Sequence, residues 1–415
     1  MSCFVTEEDI KYINGDPEKG IQYDWRKIRK KLKELGIPCE YYNPGTAPLE
    51  LIQWFVEISE RAVGKTTGWL LLGLIMFQLY GTVVIYTRSR RDMIAPKNAI
   101  SLYNVIKAND YISKITHDRW NTIVYDKRKW YLAYIDVNGN IAERCDKYCC
   151  RMVSIDEAAN LKSGFNEPSG DLIIFDEFIP VSERYSVPNE FVQFIDLCST
   201  VFRLRECPKI VLLANNINKY NQYFYDLEIA ERVSEMQISE NCTYTTDKGT
   251  KIYIEFIGAP KVYRTKKQNW IRLFCGFKKP ELASITGEST WAVRCYQHIP
   301  TKTDTGESDK IKIIFGKLYI FYNNKYVRLD IVENPELGIC IYAHWATRVY
   351  KDSIILTNEP LFDNRYVYGN AAGTNLGHLL DSIFKSKKIY FASNDVGTFV
   401  ESYFLSCGLY SKNFF

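Results

Sequence analysis

The sequence predicts an α/β domain built on a mostly parallel sheet, with a β insertion, followed by a separate α+β domain. Three features of the 415-residue chain support this. Apolar runs of strand length alternate with helical stretches between residues 49 and 214, short strands with turn dipeptides interrupt them at about 119–155, and a strand-rich block follows residue 306.

Composition sets the outer bounds. With 46% hydrophobic and 25% charged residues, the chain is ordinary globular material for two or three domains. Lys and Arg number 53 against 49 Asp and Glu, a net +4, too weak a field to imply nucleic acid by itself. Any nucleic-acid surface must therefore be a local patch. Twelve scattered Cys, and a start, MSCFVTEEDI, without an apolar stretch behind a basic one, imply a reducing, cytosolic setting. Cys145, Cys149 and Cys150 lack a fourth zinc ligand nearby and are read as plain thiols.

Element by element, residues 23–35 place Trp25, Ile28, Leu32 and Leu35 at helical spacing before Gly36-Ile37-Pro38 ends the helix. Leu49–Ile58 reads as a strand. Trp69–Tyr86 carries no charge over nearly a membrane's width, so a bilayer anchor is the alternative there. Gln78, Gly81 and the β-branched second half favour a buried helix at 65–80 and a buried strand at 82–87. A helix at 97–113 precedes the insertion, where Ile123–Tyr125 and Trp130–Ile135 flank the tip Asp126-Lys127-Arg128-Lys129 and Asn138-Gly139 suits a hairpin turn. The alternation returns as strand 171–175, helix 188–203 and strand 209–214. Residues 226–306 read as a connecting region. Beyond it, KIKIIF, KLYIFY and KYVRLDIV are separated by Gly316 and Asn323-Asn324, with a helix near 376–385 and a strand Lys388–Phe391.

Gly64-Lys65-Thr66 lies at a strand-to-helix junction, where backbone N–H groups can cradle phosphates, Lys65 can meet the β/γ oxygens and Thr66 can ligate Mg²⁺. The stretch Ser59-Glu60-Arg61-Ala62-Val63-Gly64-Lys65-Thr66-Thr67 departs from the Walker A pattern, because Ser59 stands at its first glycine. Leu172–Phe175 is an apolar run ending in Asp176-Glu177. Two carboxylates at the tip of a buried parallel strand suit a Walker B pair, Asp176 for the Mg²⁺ shell and Glu177 for the attacking water. Strand 209–214 ends in Asn215-Asn216, and Asn215 can hydrogen-bond water or γ-phosphate, a turn-forming pair being the alternative.

These residues, with Val187-Pro188-Asn189-Glu190, Thr200–Glu206, Leu213-Ala214-Asn215 and Asn221–Phe224, are similar in order and spacing to the DNA packaging ATPases of phi29-like bacteriophages over roughly residues 50–225. The resemblance implies a P-loop NTPase of the ASCE class over 1–225 (β insertion about 119–155) and, after the connecting region, an α+β RNase H-like vestigial nuclease domain over 307–415. It further implies ATP and Mg²⁺ as cofactors and a homomeric ring, commonly a pentamer. Double-stranded DNA and the phage portal are the implied partners, with a packaging RNA left open, and no membrane is involved. The site of action is the host cytoplasm, docked at the procapsid portal vertex.

By the same resemblance Arg203 is the arginine finger and Lys162 a second basic residue acting on the neighbour's ATP. Arg88, Arg90 and Arg91 form the DNA-facing stretch, and Lys127, Arg128 and Lys129 are a second patch, a solvated hairpin tip being the plain alternative. Lys310–Tyr322 holds no carboxylate, and Asp330 and Asp395 stand alone, so the second domain is expected not to cut DNA. Another P-loop helicase or remodelling ATPase, or a nucleotide-binding structural viral protein, are the alternatives.

Overall fold

A computed structural model describes residues 22–38, 41–60, 63–157, 170–179, 187, 189–203, 208–258, 291, 296–298, 312–335, 337–359 and 363–407. The chain divides into two compact units. One comprises Met1–Pro180, Tyr185–Asn216 and Met236–Trp270; the other comprises Val181–Arg184, Ile217–Glu235 and Ile271–Phe415.

The first unit opens with helix α1 (Trp25–Glu34), whose N-cap Asp24 accepts from the Lys27 N–H. Its strands are β1 (Trp54–Ser59), β2 (Val84–Arg88), β3 (Thr122–Asp126), β4 (Lys129–Ile135), β5 (Ile141–Ser154), β6 (Leu172–Asp176), β7 (Lys209–Asn215), β8 (Asn241–Thr245) and β9 (Lys251–Ile257). They form one sheet in the order β3-β4-β5-β2-β6-β7-β1-β9-β8. The run from β5 to β9 is parallel, and antiparallel strands close each side. Parallel strands buried on both faces need continuous apolar runs, which Phe55–Ile58 (apart from Glu57), Leu172–Phe175 and Ile210–Ala214 supply.

Helix α2 (Lys65–Tyr80) is apolar all round and buried from Gly68 to Phe77, as a helix in the centre of a core must be. Gly81, at φ 73°, caps it, and β2 starts at Val84. The uncharged run 69–86 is therefore a helix and a strand, and no helix among the described residues is long and apolar enough to cross a membrane.

Several expectations change, among them the strand expected at Leu49–Ile58, which begins only at Trp54. The helix expected at 97–113 is three short pieces, Pro96–Ala99, Asn104–Ala108 and Tyr111–Thr116, the last entered through Asp110 at φ 55°. The β insertion is continuous with the main sheet, because β5 pairs antiparallel with β4 in its first part and parallel with β2 from Cys150 to Ser154. Residues 226–306 are not one connector: β8 and β9 extend the first unit's sheet, while Ile217–Glu235 packs in the second unit.

The second unit contains β10 (Lys312–Tyr322), β11 (Lys325–Asn334), β12 (Gly338–Trp345), β13 (Ile354–Thr357), β14 (Tyr366–Tyr368) and β15 (Ile389–Phe391) in the order β14-β13-β10-β11-β12-β15. Gly316 does not separate two strands. It sits inside β10, where the register slips, and a Cβ there would collide with the Arg328 guanidinium. Two helices follow, Asn375–Lys385 capped by Thr374 and Asn394–Ser406 capped by Ser393, the latter unforeseen from sequence. Leu380, Phe399, Val400 and Tyr403 pack on Leu318, Ile320 and Leu329 to form this unit's core.

Candidate functional site

In the first unit β1, β7, β6 and β2 lie side by side, so the C-terminal tips of four parallel strands face the start of α2. Gly64 caps that helix at φ 86°, a left-handed conformation that costs a side chain energy, and a Cβ would also stand 2.8 Å from Tyr41. Val63 is buried beside it and gives its carbonyl to the Tyr42 N–H at 2.9 Å. Thr67 is half-buried on the first turn, and Gly68 admits the Tyr42 carbonyl, 2.7 Å from where its Cβ would be.

Lys65 is 7% exposed and donates to the Ser59 hydroxyl, which itself donates to the Glu60 carbonyl at 2.6 Å. The residue that breaks the glycine pattern is thus the resting partner of the lysine. Burial lowers the Lys65 ammonium to about 8, against the pull of Asp176, Glu57 and Glu177.

Asp176 ends β6. Its Oδ2 accepts from the Thr66 hydroxyl at 3.0 Å and the Tyr86 hydroxyl at 2.7 Å. A hydroxyl and a carboxylate already in contact are the hard-oxygen pair that suits Mg²⁺, so the residues present fit that ion. Glu177 follows at φ 55°, strain that turns its side chain toward β2, where Arg88 donates to it. Arg88 also stands 3.6 Å from Asp176 and is 17% exposed. Burial works against its charge, but Tyr86, Asp176 and Glu177 outweigh this and hold it firmly protonated.

That placement corrects one expectation. Arg88 belongs to β2 and to the carboxylate cluster, rather than to a free basic loop. Neither Arg88 in this role nor Tyr86 carries a sequence signal, because only the β2–β6 pairing, Tyr86 opposite Ile174, brings them to Asp176.

Asn215 ends β7, between the two motif-bearing strands and in register with Ser59. Helix α3 (Glu190–Phe202) ends at Arg203, which is exposed at φ 52° and ψ −117°. Lys162, Arg61 and Ala62 lie outside the described residues.

The remaining basic residues gather at a different surface. Arg90 pairs with Asp92 at 2.8 Å. Arg91, 71% exposed, and Arg128 both reach Glu157, at 3.1 and 2.5 Å, so the two patches meet on one carboxylate. Lys127 is exposed, and the Lys129 ammonium lies 4.3 Å over the Tyr148 ring. Lys127 and Arg128 form the β3–β4 turn at φ 46° and 66°, a geometry usually filled by Asn-Gly.

Cys145, Cys149 and Cys150 are buried free thiols. In the second unit Asp330 is paired with Arg328 at 2.7 Å and His344 at 3.0 Å, and Asp395 with Lys219 at 2.7 Å. Among the described residues, no group of three or more His, Cys, Asp or Glu is placed to hold a metal.

No family profile matches the chain. The DNA packaging protein of Bacillus phage phi29 is 25% identical over 198 residues, 47% of this chain and 52% of that protein. The DNA packaging protein of Bacillus phage PZA gives the same figures. The chain thus spans about half the length of the curated relatives it matches. Among solved structures, the phi28 gp11 DNA packaging motor aligns with a TM-score of 0.50 at 17% identity, covering 90% of this chain and 99% of that one. Over the matched stretch the chain is thus similar in sequence to the DNA packaging proteins of phages phi29 and PZA, and it shares the fold of the phi28 gp11 DNA packaging motor.

Proposed function

We propose that the chain hydrolyses ATP and uses it to translocate double-stranded viral DNA into a procapsid, as one subunit of a ring. The observation that carries this reading is the contact between Thr66, at the start of the phosphate-loop helix, and Asp176, at the tip of β6. The site of β7 between β1 and β6, as the ASCE class requires, supports it.

Triphosphate would lie on the N–H groups of residues 64–66, with Lys65 swinging from Ser59 to its oxygens. Mg²⁺, held by Thr66 and Asp176, would neutralise charge on the β and γ oxygens when bound. Glu177 orients the attacking water once Arg88 lets go of it, and Asn215 reports the γ-phosphate. Arg203 would act on a neighbouring subunit's γ-phosphate, with Lys162 as its companion; its exposure at a helix end supports that role. The surface joining Arg91, Lys127, Arg128 and Lys129 to Arg90 takes DNA phosphates without reading sequence.

The remaining assignments rest on the same relationship: a pentamer, docked at the portal vertex in the host cytoplasm, with or without an RNA scaffold. For the second unit we infer a vestigial RNase H-like domain. The order β12-β11-β10-β13-β14, antiparallel on one side of β10 and parallel on the other, supports that inference.

The deciding experiment is ATP turnover with and without double-stranded DNA over a range of protein concentrations. DNA-stimulated turnover that rises more than linearly with protein is expected. DNA-independent turnover, or none, would overturn the reading.

A further inference from the structure

Beneath the phosphate loop lies a group of side chains that the hydrolytic scheme does not use. Glu57 on β1 and Glu255 on β9 are direct neighbours in the parallel register. Glu57 is completely buried, and Glu255 is half-buried at the same level. Between them lies the Tyr42 hydroxyl, 2.5 Å from Glu57 Oε1 and 3.3 Å from Glu255 Oε2, while Tyr253 donates to Glu255 at 3.2 Å. Tyr42 is 6% exposed, and its backbone N–H holds the Val63 carbonyl, directly before Gly64.

The protons can be counted. A phenol brings one O–H, yet two carboxyl oxygens converge on it, one at 2.5 Å and one at the longer 3.3 Å. It can donate to one carboxyl, and the other contact becomes a hydrogen bond only if a carboxyl supplies the second proton. Two ionised carboxylates side by side in a core are also mutually repulsive, and such pairs retain one proton between them. Glu57 Oε2 is buried and makes no hydrogen bond of normal geometry, the Trp69 indole N–H being the donor that faces this carboxyl, and a neutral acid tolerates that far better than an anion does.

We infer that Tyr42 is a positioning residue for the phosphate loop, held in place by a single proton shared between Glu57 and Glu255. The inference rests on the ATPase reading above. Tyr42 anchors its hydroxyl in the carboxyl pair and its backbone on Val63, so the loop is tied to the sheet through one side chain. Loss of the shared proton sets two negative charges against each other and loosens the anchor. Other groups facing Glu57 are Lys65 and the Trp69 indole on α2, with Tyr42; Tyr253 faces Glu255 on β9. Burial, then the Glu255 charge, push the Glu57 carboxyl up to about 8 against the pull of Tyr42, Trp69 and Lys65.

The test combines infrared spectroscopy of the nucleotide-free full-length protein with ATP kinetics from pH 7 to 9. The wild type should absorb as a dry protonated carboxylic acid at neutral pH, and Glu57→Gln should lose that band. Tyr42→Phe, which keeps the ring and the backbone N–H, should raise KM for ATP about tenfold, with kcat nearly unchanged, as for one lost hydrogen bond to a charged group. KM of the wild type should climb with pH more steeply than that of Glu57→Gln, which stays neutral throughout while keeping Lys65. An unchanged band in Glu57→Gln, identical pH profiles, or an unaltered KM in Tyr42→Phe would each overturn the inference. If the wild type does not turn over ATP, the ATPase reading falls, and the infrared band alone still decides whether the pair shares a proton.

Discussion

Arg88 on β2 is ion-paired with Glu177 at the tip of β6, so the guanidinium occupies the carboxylate proposed to activate water. While that pair persists, Oε2 of Glu177 is held by the guanidinium and the carboxylate is a weaker base. Arg88→Ala should therefore raise turnover in the absence of DNA and shrink the ratio of DNA-stimulated to basal rate, as measured by steady-state phosphate release. An unchanged ratio would separate the pair from catalysis. The variant should also be less stable by about 3 kcal/mol, because the partly buried Asp176 loses its nearby cation.

Removing the base itself has a different signature. Glu177→Gln should lower kcat by about 10²- to 10⁴-fold and leave ATP binding intact. Asp176→Asn should weaken Mg²⁺ binding, seen as a higher magnesium concentration for half-maximal rate. Equal loss of binding in both variants would argue that the two carboxylates do not divide the labour.

Arg203 is exposed at the end of α3, as a group acting on a neighbour must be. Arg203→Ala should cost about 10³-fold in turnover. Mixing Arg203→Ala subunits with Lys65→Ala subunits should restore part of it, since some interfaces then pair an intact loop with an intact finger. No recovery on mixing would place Arg203 outside the trans site.

The β3–β4 turn holds Lys127 and Arg128 at positive φ, a cost of about 1 kcal/mol each that basic side chains there must justify. Replacing the pair by Asn-Gly should stabilise the hairpin, read as a higher Tm. The same change should weaken double-stranded DNA binding and reduce the salt slope of affinity by about two. A higher Tm with unchanged DNA affinity would show the tip to be mere surface.

The Glu57 carboxyl is raised from 4.5 to about 8 in the folded chain. A raised folded value means the native state holds a proton that the unfolded state releases. The resulting stability is complete below pH 4.5 and is lost as pH rises toward 8. Over that window the wild type should lose a few kcal/mol relative to Glu57→Gln, since each tenfold difference in proton affinity between folded and unfolded chains is worth about 1.4 kcal/mol. Urea titrations of both proteins at pH 5 and pH 8.5 measure the difference. Parallel pH dependences would mean that Glu57 is ionised throughout.

What the sequence determined by itself was carried by local pattern. The apolar runs of β1, β6 and β7, the GKT tripeptide before an uncharged helix, the carboxylates after Phe175 and the Asn138-Gly139 turn are legible because each is set by neighbours within a few residues. The division of residues 69–86 into helix and strand followed from Gly81 and β-branching for the same reason. Tertiary structure alone decided which distant strands become neighbours. Nothing near residue 88 tells that Arg88 meets Glu177, and nothing near 251–257 tells that β9 joins β1 and sets Glu255 against Glu57. Tyr42 and Glu255 touch across 213 positions. Pairing of that kind is fixed by how the whole sheet closes its core, since local periodicity says which residues are buried but not beside whom.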